Sequence, residues 1–88
     1  MRVIKIGAVW CKDCLVMRPI WEEIEEEVPD LKTEYFDADE NPDILEKYDV
    51  QDIPSFIFLD KNENVILRLK GMQDKEKLIN LIKENFDK

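Results

Sequence analysis

The sequence predicts an α/β protein whose elements follow the order β-α-β-α-β-β-α. Three observations lead to this prediction. Short apolar segments rich in β-branched residues alternate with segments in which apolar residues recur every three or four positions. One helix separates the first two strands, which favours a parallel pair with a right-handed crossover. A turn-forming segment separates the last two strands, which favours an antiparallel hairpin.

The first strand is predicted over residues 2–9, with Gly7 weakening it near its end. A helix follows from Lys12 to about Val28, because its apolar residues form one face. Pro19 lies inside this helix and should kink it, since proline lacks the N–H of a helical hydrogen bond. The apolar face comprises Leu15, Met17, Ile20, Trp21, Ile24 and Val28. The opposite, solvated face carries Glu22, Glu23, Glu25, Glu26 and Glu27.

The second strand is predicted over residues 32–37, where aromatic and β-branched residues cluster. A short helix should begin with Asn41 as its cap and Pro42 at its first position. Its apolar side comprises Ile44, Leu45 and Tyr48.

Residues 55–59 are almost continuously apolar, as expected of a buried strand. Residues 60–64 have turn chemistry, and residues 65–70 return as the second strand of a hairpin. One face of that strand carries Val65, Leu67 and Leu69. Asp74 should cap a final helix with an apolar stripe. The stripe consists of Leu78, Leu81, Ile82 and Phe86.

Length and composition restrict the classes of function. The chain of 88 residues is expected to form one domain over residues 1–88. Its net charge of −8 argues against nucleic acid and anionic membranes as partners, because both attract basic surfaces. No segment resembles a membrane span or a removable signal peptide, so we expect a cytoplasmic protein. Without histidine, the chain lacks the commonest general base and metal ligand.

The only two cysteines are Cys11 and Cys14, at the junction between the first strand and the first helix. A helix N-terminus stabilises a thiolate through its unpaired N–H groups and its dipole. We therefore expect Cys11 to be an accessible nucleophile and Cys14, one turn later, to close a disulfide with it. Half of a zinc site and two inert thiols are the alternatives; structural zinc takes about four ligands.

Around this pair the sequence resembles the thioredoxin family. A Trp-Cys-x-x-Cys motif at residues 10–14 ends the first strand, and Pro19 follows the second cysteine by five residues. Residues 36–42, residues 48–54 with Ile53-Pro54, and the hairpin before Gly71 also follow the family's order and spacing. The resemblance covers essentially the whole chain. It implies a thioredoxin-like fold with a four-stranded mixed sheet in the order 2-1-3-4, flanked by three helices.

Three features depart from the family pattern. The chain starts at the strand that leads into the motif, whereas full-length thioredoxins have an earlier strand and helix. Lys12 and Asp13 stand between the cysteines in place of the usual Gly-Pro. Lys5 occupies the position where the family usually has a buried acid.

The resemblance implies a small thiol–disulfide oxidoreductase that acts on protein disulfides. Cys11 would attack, and Cys14 would resolve the mixed disulfide. Pro54 would be a cis-proline facing the disulfide. Trp10, Ile53, Gly71 and Met72 would complete the substrate-binding rim. The centre would need no cofactor or metal, and a thioredoxin-reductase-like protein would supply electrons to a monomer.

Four charged residues are expected to tune this centre. Lys12 should favour the Cys11 thiolate, and Asp13 should disfavour it. We also expect Lys5 to pair with Asp37 below the disulfide and to assist proton removal from Cys14. A lysine that merely extends to solvent is the alternative.

Three other functions remain open from the sequence. The chain length suggests a glutaredoxin-like activity on glutathione adducts. The fold could instead serve as a redox-inactive adaptor with idle cysteines. A metal chaperone could use the two thiolates to hold Cu(I), although no third ligand is evident.

Overall fold

A computed structural model describes residues 1–88, and it contains the seven expected elements in the expected order. The strands are β1 (Arg2–Gly7), β2 (Lys32–Asp37), β3 (Ser55–Leu59) and β4 (Val65–Lys70). The helices are α1 (Lys12–Glu27), α2 (Pro42–Lys47) and α3 (Lys75–Asn85). None of these helices combines the length and apolar character that a membrane crossing requires.

The sheet has the order β2-β1-β3-β4, with β1 parallel to β2 and antiparallel to β3, and β3 antiparallel to β4. This confirms the predicted thioredoxin-like topology. Because side chains alternate along a strand, the sheet buries two apolar faces.

The two faces form separate clusters. On one face, α1 and α3 pack against residues from β1 and β3, including Val3, Phe56 and Phe58. On the other face, Ile4, Ile6 and other residues pack beneath α2. Lys5 lies between Ile4 and Ile6 in β1, so its side chain emerges on the α1 face. This register decides which residues can meet below the disulfide.

The apolar face of helix α1 matches the prediction except at its N-terminal end. Met17, Trp21 and Ile24 are buried as expected, but Leu15 is 51% exposed. Leu15 therefore lies on the surface beside Cys14 and not in the core. The helix continues through Pro19 as a single element.

The ends of the other elements show two further corrections. Asn41 precedes α2 as predicted, but its side chain makes no capping bond and donates to the Asp37 carbonyl at 3.0 Å. Val65 is exposed because the pairing register shifts between Phe58 and Leu59, which breaks the expected alternation along β4. Asp74 caps α3 as predicted, accepting the Lys77 N–H at 3.2 Å.

A comparison of the buried Leu78 with the exposed Leu15 tests the packing of the core. We expect Leu78→Ala to lower the free energy of unfolding by about 2–5 kcal/mol, because this fully buried side chain leaves a cavity in the α1 and α3 layer. The matched variant Leu15→Ala should change it by less than about 0.5 kcal/mol. Urea unfolding of the disulfide form measures both values. Equal losses for the two variants would contradict the packing described here.

Candidate active site

The two cysteines form a disulfide at the start of α1. Their Cα atoms lie 5.2 Å apart. Cys11 is the N-cap of the helix, and its Sγ accepts the Cys14 N–H at 3.2 Å. The Cys11 N–H in turn donates to the Ala8 carbonyl at 3.2 Å, which joins the motif to the end of β1. The sulfur of Cys11 therefore occupies the place that an oxygen holds in an ordinary helix cap.

The exposure of Cys11 differs from the expectation. Cys11 is only 7% exposed, whereas Cys14 is half-buried. The expected open access to Cys11 is therefore wrong for the disulfide form. Lys12 and Asp13 lie between them on the exposed first turn of α1.

Trp10, the residue before Cys11, presents a large apolar side chain to solvent, with 67% of the residue exposed. Its Nε1 donates to Oδ2 of Asp39 at 2.8 Å. Asp39 follows β2, and sequence reasoning assigned it no role. The sequence carried no signal for this contact, because an indole N–H at a surface can donate to water as well as to a side chain. The bond orients an exposed ring next to Cys11.

The Ile53–Pro54 peptide bond is cis, as the resemblance implied. The Pro54 carbonyl accepts the Gly71 N–H at 2.8 Å, which joins the start of β3 to the segment after β4. Gly71 has a φ of +78°, a conformation that glycine adopts readily. Met72, next in the chain, is exposed, whereas the Ile53 side chain packs partly against the α2-side core.

Lys5 does not pair with Asp37. Its Nζ lies 2.7 Å from Oε2 of Glu25, and 5.7 Å from the centre of the Trp21 ring. Asp37 instead accepts the backbone N–H groups of Asp39 and Glu40. Its carboxylate is therefore engaged in the turn after β2.

Lys5 pairs with Glu25 and not with Asp37 because of the way helix α1 packs on the sheet. Lys5 stands opposite Tyr35 in the parallel register, and Asp37 stands opposite Gly7. All four positions share the α1 face, but the packing of α1 brings Glu25 across that face to Lys5. The Lys5 side chain is only 16% exposed, so it does not simply extend to solvent. Glu25 was read as part of the solvated face, and that interpretation is wrong.

Gly7 allows Cys14 to pack against β1. A Cβ at this position would lie 3.0 Å from Cys14 Sγ, 3.2 Å from Cys14 Cβ and 3.3 Å from Tyr35 Oη. Any larger residue would therefore displace the Cys14 sulfur or the Tyr35 phenol. Gly7 was expected only to weaken the strand, but its lack of a side chain leaves room for Cys14 and Tyr35.

Tyr35 lies near the Cys14 sulfur, and the charges of Asp37 and Arg18 act on its phenol. Partial burial raises the pKa of Tyr35 above its ordinary value of about 10. The negative charge of Asp37 raises the pKa further, and the positive charge of Arg18 lowers it. The phenol therefore keeps its proton throughout the neutral range.

Comparison with known proteins places this geometry in a family. The thioredoxin family model matches residues 1–84. The chain belongs to the thioredoxin family. Because the Cys11–Cys14 pair forms the family's redox-active disulfide, the protein is a thiol–disulfide oxidoreductase whose redox centre is that disulfide.

Individual thioredoxins show how far the likeness extends. The thioredoxin of Chlamydia pneumoniae is 38% identical over 83 residues, which cover 94% of this chain and 80% of that protein. Rice thioredoxin H5 is 36% identical over 63 residues, 72% of this chain and 47% of that protein. The structure of thioredoxin 1 from Thermosipho africanus has a TM-score of 0.85 at 28% identity, with 99% of this chain and 96% of that chain covered.

The titration of Tyr35 provides a test of the site's electrostatics. We expect its phenol to titrate above pH 10, with Asp37→Asn lowering the pKa and Arg18→Gln raising it. Because the folded-state pKa is raised, the contribution of Tyr35 to stability is complete below about pH 10 and is lost as the pH rises through the folded pKa. Carbon-13 NMR of the Tyr ring Cζ measures the titration, and Tyr35→Phe assigns the resonance. Shifts in the same direction for both charge variants would refute this arrangement.

Proposed function

We propose that this thioredoxin-family protein reduces disulfides in other proteins, with Cys11 as the attacking thiolate. One observation carries the proposal: Cys11 caps α1, and its sulfur accepts a helical N–H. In the reduced protein the same N–H and the helix dipole would stabilise negative charge on that sulfur. Cys14 has no comparable position, because it lies within the first turn.

The proposed reaction transfers two electrons in two exchange steps. The Cys11 thiolate attacks one sulfur of the substrate disulfide, forming a mixed disulfide and releasing the other substrate sulfur as a thiolate. The Cys14 thiol loses its proton and attacks Cys11 Sγ. This step releases the second substrate sulfur and restores the Cys11–Cys14 disulfide. The substrate is reduced, and the dithiol is oxidised.

The substrate would bind to the surface formed by Trp10, Pro54, Gly71 and Met72. Trp10 and Met72 supply exposed apolar area on a strongly acidic protein. The N–H and C=O groups of Ile53 make no backbone hydrogen bond within the chain. They are therefore free to bind an extended substrate segment beside the disulfide, while the Ile53 side chain anchors the segment that presents them.

Lys5, held by Glu25, is proposed to assist Cys14. Both Lys5 and Cys14 line one cavity on the α1 face. A positive charge there favours the thiolate form of Cys14 during the second exchange step. Lys12 and Asp13 are proposed to tune Cys11 from the exposed first turn of α1, with opposite signs.

The partners follow from this chemistry. The sequence has no cofactor-binding motif, so a thioredoxin-reductase-like protein would return electrons to the disulfide. The net charge of −8 disfavours nucleic acid and anionic membranes as partners. We propose that the protein works as a monomer in the cytoplasm, where a reducing environment keeps a catalytic pair in turnover.

Trapping the mixed disulfide tests which of the two cysteines attacks the substrate. With Cys14→Ser, the mixed disulfide on Cys11 cannot be resolved, so we expect stable adducts with insulin. With Cys11→Ser, insulin reduction should fall to the rate of dithiothreitol alone. Insulin turbidity and non-reducing mass spectrometry measure the two results. Stable adducts on Cys14 in the Cys11→Ser protein, with none on Cys11, would reverse the assignment.

The role of Lys5 can be tested by the pH dependence of disulfide exchange. We expect Lys5→Met to move the alkaline rise of the rate to higher pH by roughly one unit, because it removes positive charge near Cys14. Glu25→Gln should move the rise to lower pH. Glu23→Gln is the matched control, since Glu23 pairs with Lys75. Identical profiles for all four proteins would end the proposal.

A further inference from the structure

A cavity on the α1 face reaches the disulfide from the side of Cys14. Its volume is about 250 Å³. Cys14 lines it, together with Gly7, Tyr35 and Pro54, whereas Cys11 does not. A molecule inside this cavity therefore meets Cys14 and is separated from Cys11.

Gly7 makes room for the Cys14 side chain in the wall of the cavity. Gly7 lines the wall next to Cys14 Sγ, and a side chain there would come within 3.0 Å of that sulfur. Cys14 is also the more exposed cysteine of the two, since Cys11 is only 7% exposed. Small molecules therefore have a path to Cys14 through the cavity, which meets the proposed substrate surface at Pro54 but does not include Trp10.

Four charged side chains line the same cavity. Lys5 and Glu25 pair with each other. Arg18 and Glu22 also line it, and neither makes an ion pair or a side-chain hydrogen bond within the chain. Arg18 lies one helical turn after Cys14 and acts on Tyr35 across the cavity. Its guanidinium is thus an unpartnered donor suited to a carboxylate.

We propose that this cavity is an entry site for low-molecular-weight thiols that carry a carboxylate, and that these thiols reduce the disulfide by attacking Cys14. The inference rests on the redox-active disulfide and is independent of which proteins serve as substrates. The incoming thiolate bonds to Cys14 Sγ, the Cys11–Cys14 bond breaks, and Cys11 leaves as a thiolate. A second thiolate then attacks the sulfur of the bound thiol. It forms the small-molecule disulfide and releases Cys14, which takes up a proton.

The position of Cys11 explains why Cys14 is the sulfur attacked. A disulfide exchanges faster when the departing sulfur is the more stable thiolate. Cys11 Sγ already accepts a helical N–H, so negative charge is best accommodated there. Attack on Cys11 would instead expel Cys14 without that bond.

The size of the cavity limits the ligand class. Pockets for drug-sized ligands typically occupy about 300–1,000 Å³. This cavity is smaller, so it fits a thiol of a few heavy atoms better than a peptide segment. The surface beside Trp10 remains the proposed site for protein disulfides.

The charge of the thiol provides the first test. The disulfide form is reduced with mercaptoacetate or with 2-mercaptoethanol, which has no carboxylate. Each variant is compared with the original protein for the same thiol. We expect Arg18→Gln to slow mercaptoacetate by about two- to fivefold, the size of an exposed charge pair, and Glu22→Gln to accelerate it. Both variants should change the rate with 2-mercaptoethanol by a smaller factor, because its attacking thiolate carries one negative charge fewer than that of mercaptoacetate. Lys77→Gln removes the same charge at an exposed position of α3 that does not line the cavity, and it should leave the ratio of the two rates unchanged.

The site of attack provides the second test. The reaction with mercaptoacetate is quenched in acid at early times, and fragmentation mass spectrometry locates the mixed disulfide. We expect the adduct on Cys14 with Cys11 free. An adduct on Cys11, or equal effects of Arg18→Gln on the two thiols, overturns the proposal.

Insulin reduction, measured in parallel, separates this inference from the proposed function. Insulin is too large for the cavity and reports the Cys11 surface. Loss of insulin reduction with the Cys14 adduct intact would overturn the proposed function alone. Normal insulin reduction with an adduct on Cys11 would overturn the cavity inference alone.

Discussion

The bond between the Cys14 N–H and Cys11 Sγ is the interaction on which the site depends. It makes the first cysteine part of the cap of α1, so the helix cannot start without placing that sulfur among unpaired N–H groups. The same bond fixes the distance to the second cysteine at one helical turn. Redox chemistry here is therefore a property of a helix end, and the rest of the fold serves to hold that end against the sheet.

The sheet holds it through close contacts that tolerate little change. Cys11 N–H is bound to Ala8, and Cys14 packs on the bare backbone of Gly7. The bond from the Gly71 N–H to the Pro54 carbonyl joins two segments of the proposed substrate surface. Trp10 is oriented by Asp39 from a third segment. Bonds from separate parts of the chain thus hold the segments that flank the disulfide and Pro54.

Sequence reasoning found the elements, because strand and helix periodicities are local properties of the chain. It also found the cysteine pair and Pro54, since the resemblance carries their spacing. It missed Glu25, because the rotation of α1 over the sheet decides which glutamate reaches Lys5. Leu15 was misplaced for a related reason: the spacing of apolar residues does not show where a helix face leaves the core. The burial of Cys11 likewise depends on contacts between segments that lie far apart in the chain.

The position of β2 at one side of the sheet has a consequence for self-association. Strand β2 pairs with β1 alone, so its outer backbone N–H and C=O groups are available to another strand. Such edges promote aggregation when they are flat and apolar, and charged side chains oppose it. Here the edge carries Lys32, Glu34 and Asp37, and Arg2 of β1 reaches across to pair with Glu34. A copy of this chain adding to that edge would have to strip water from these charges, so the strand discourages fibre growth without being covered.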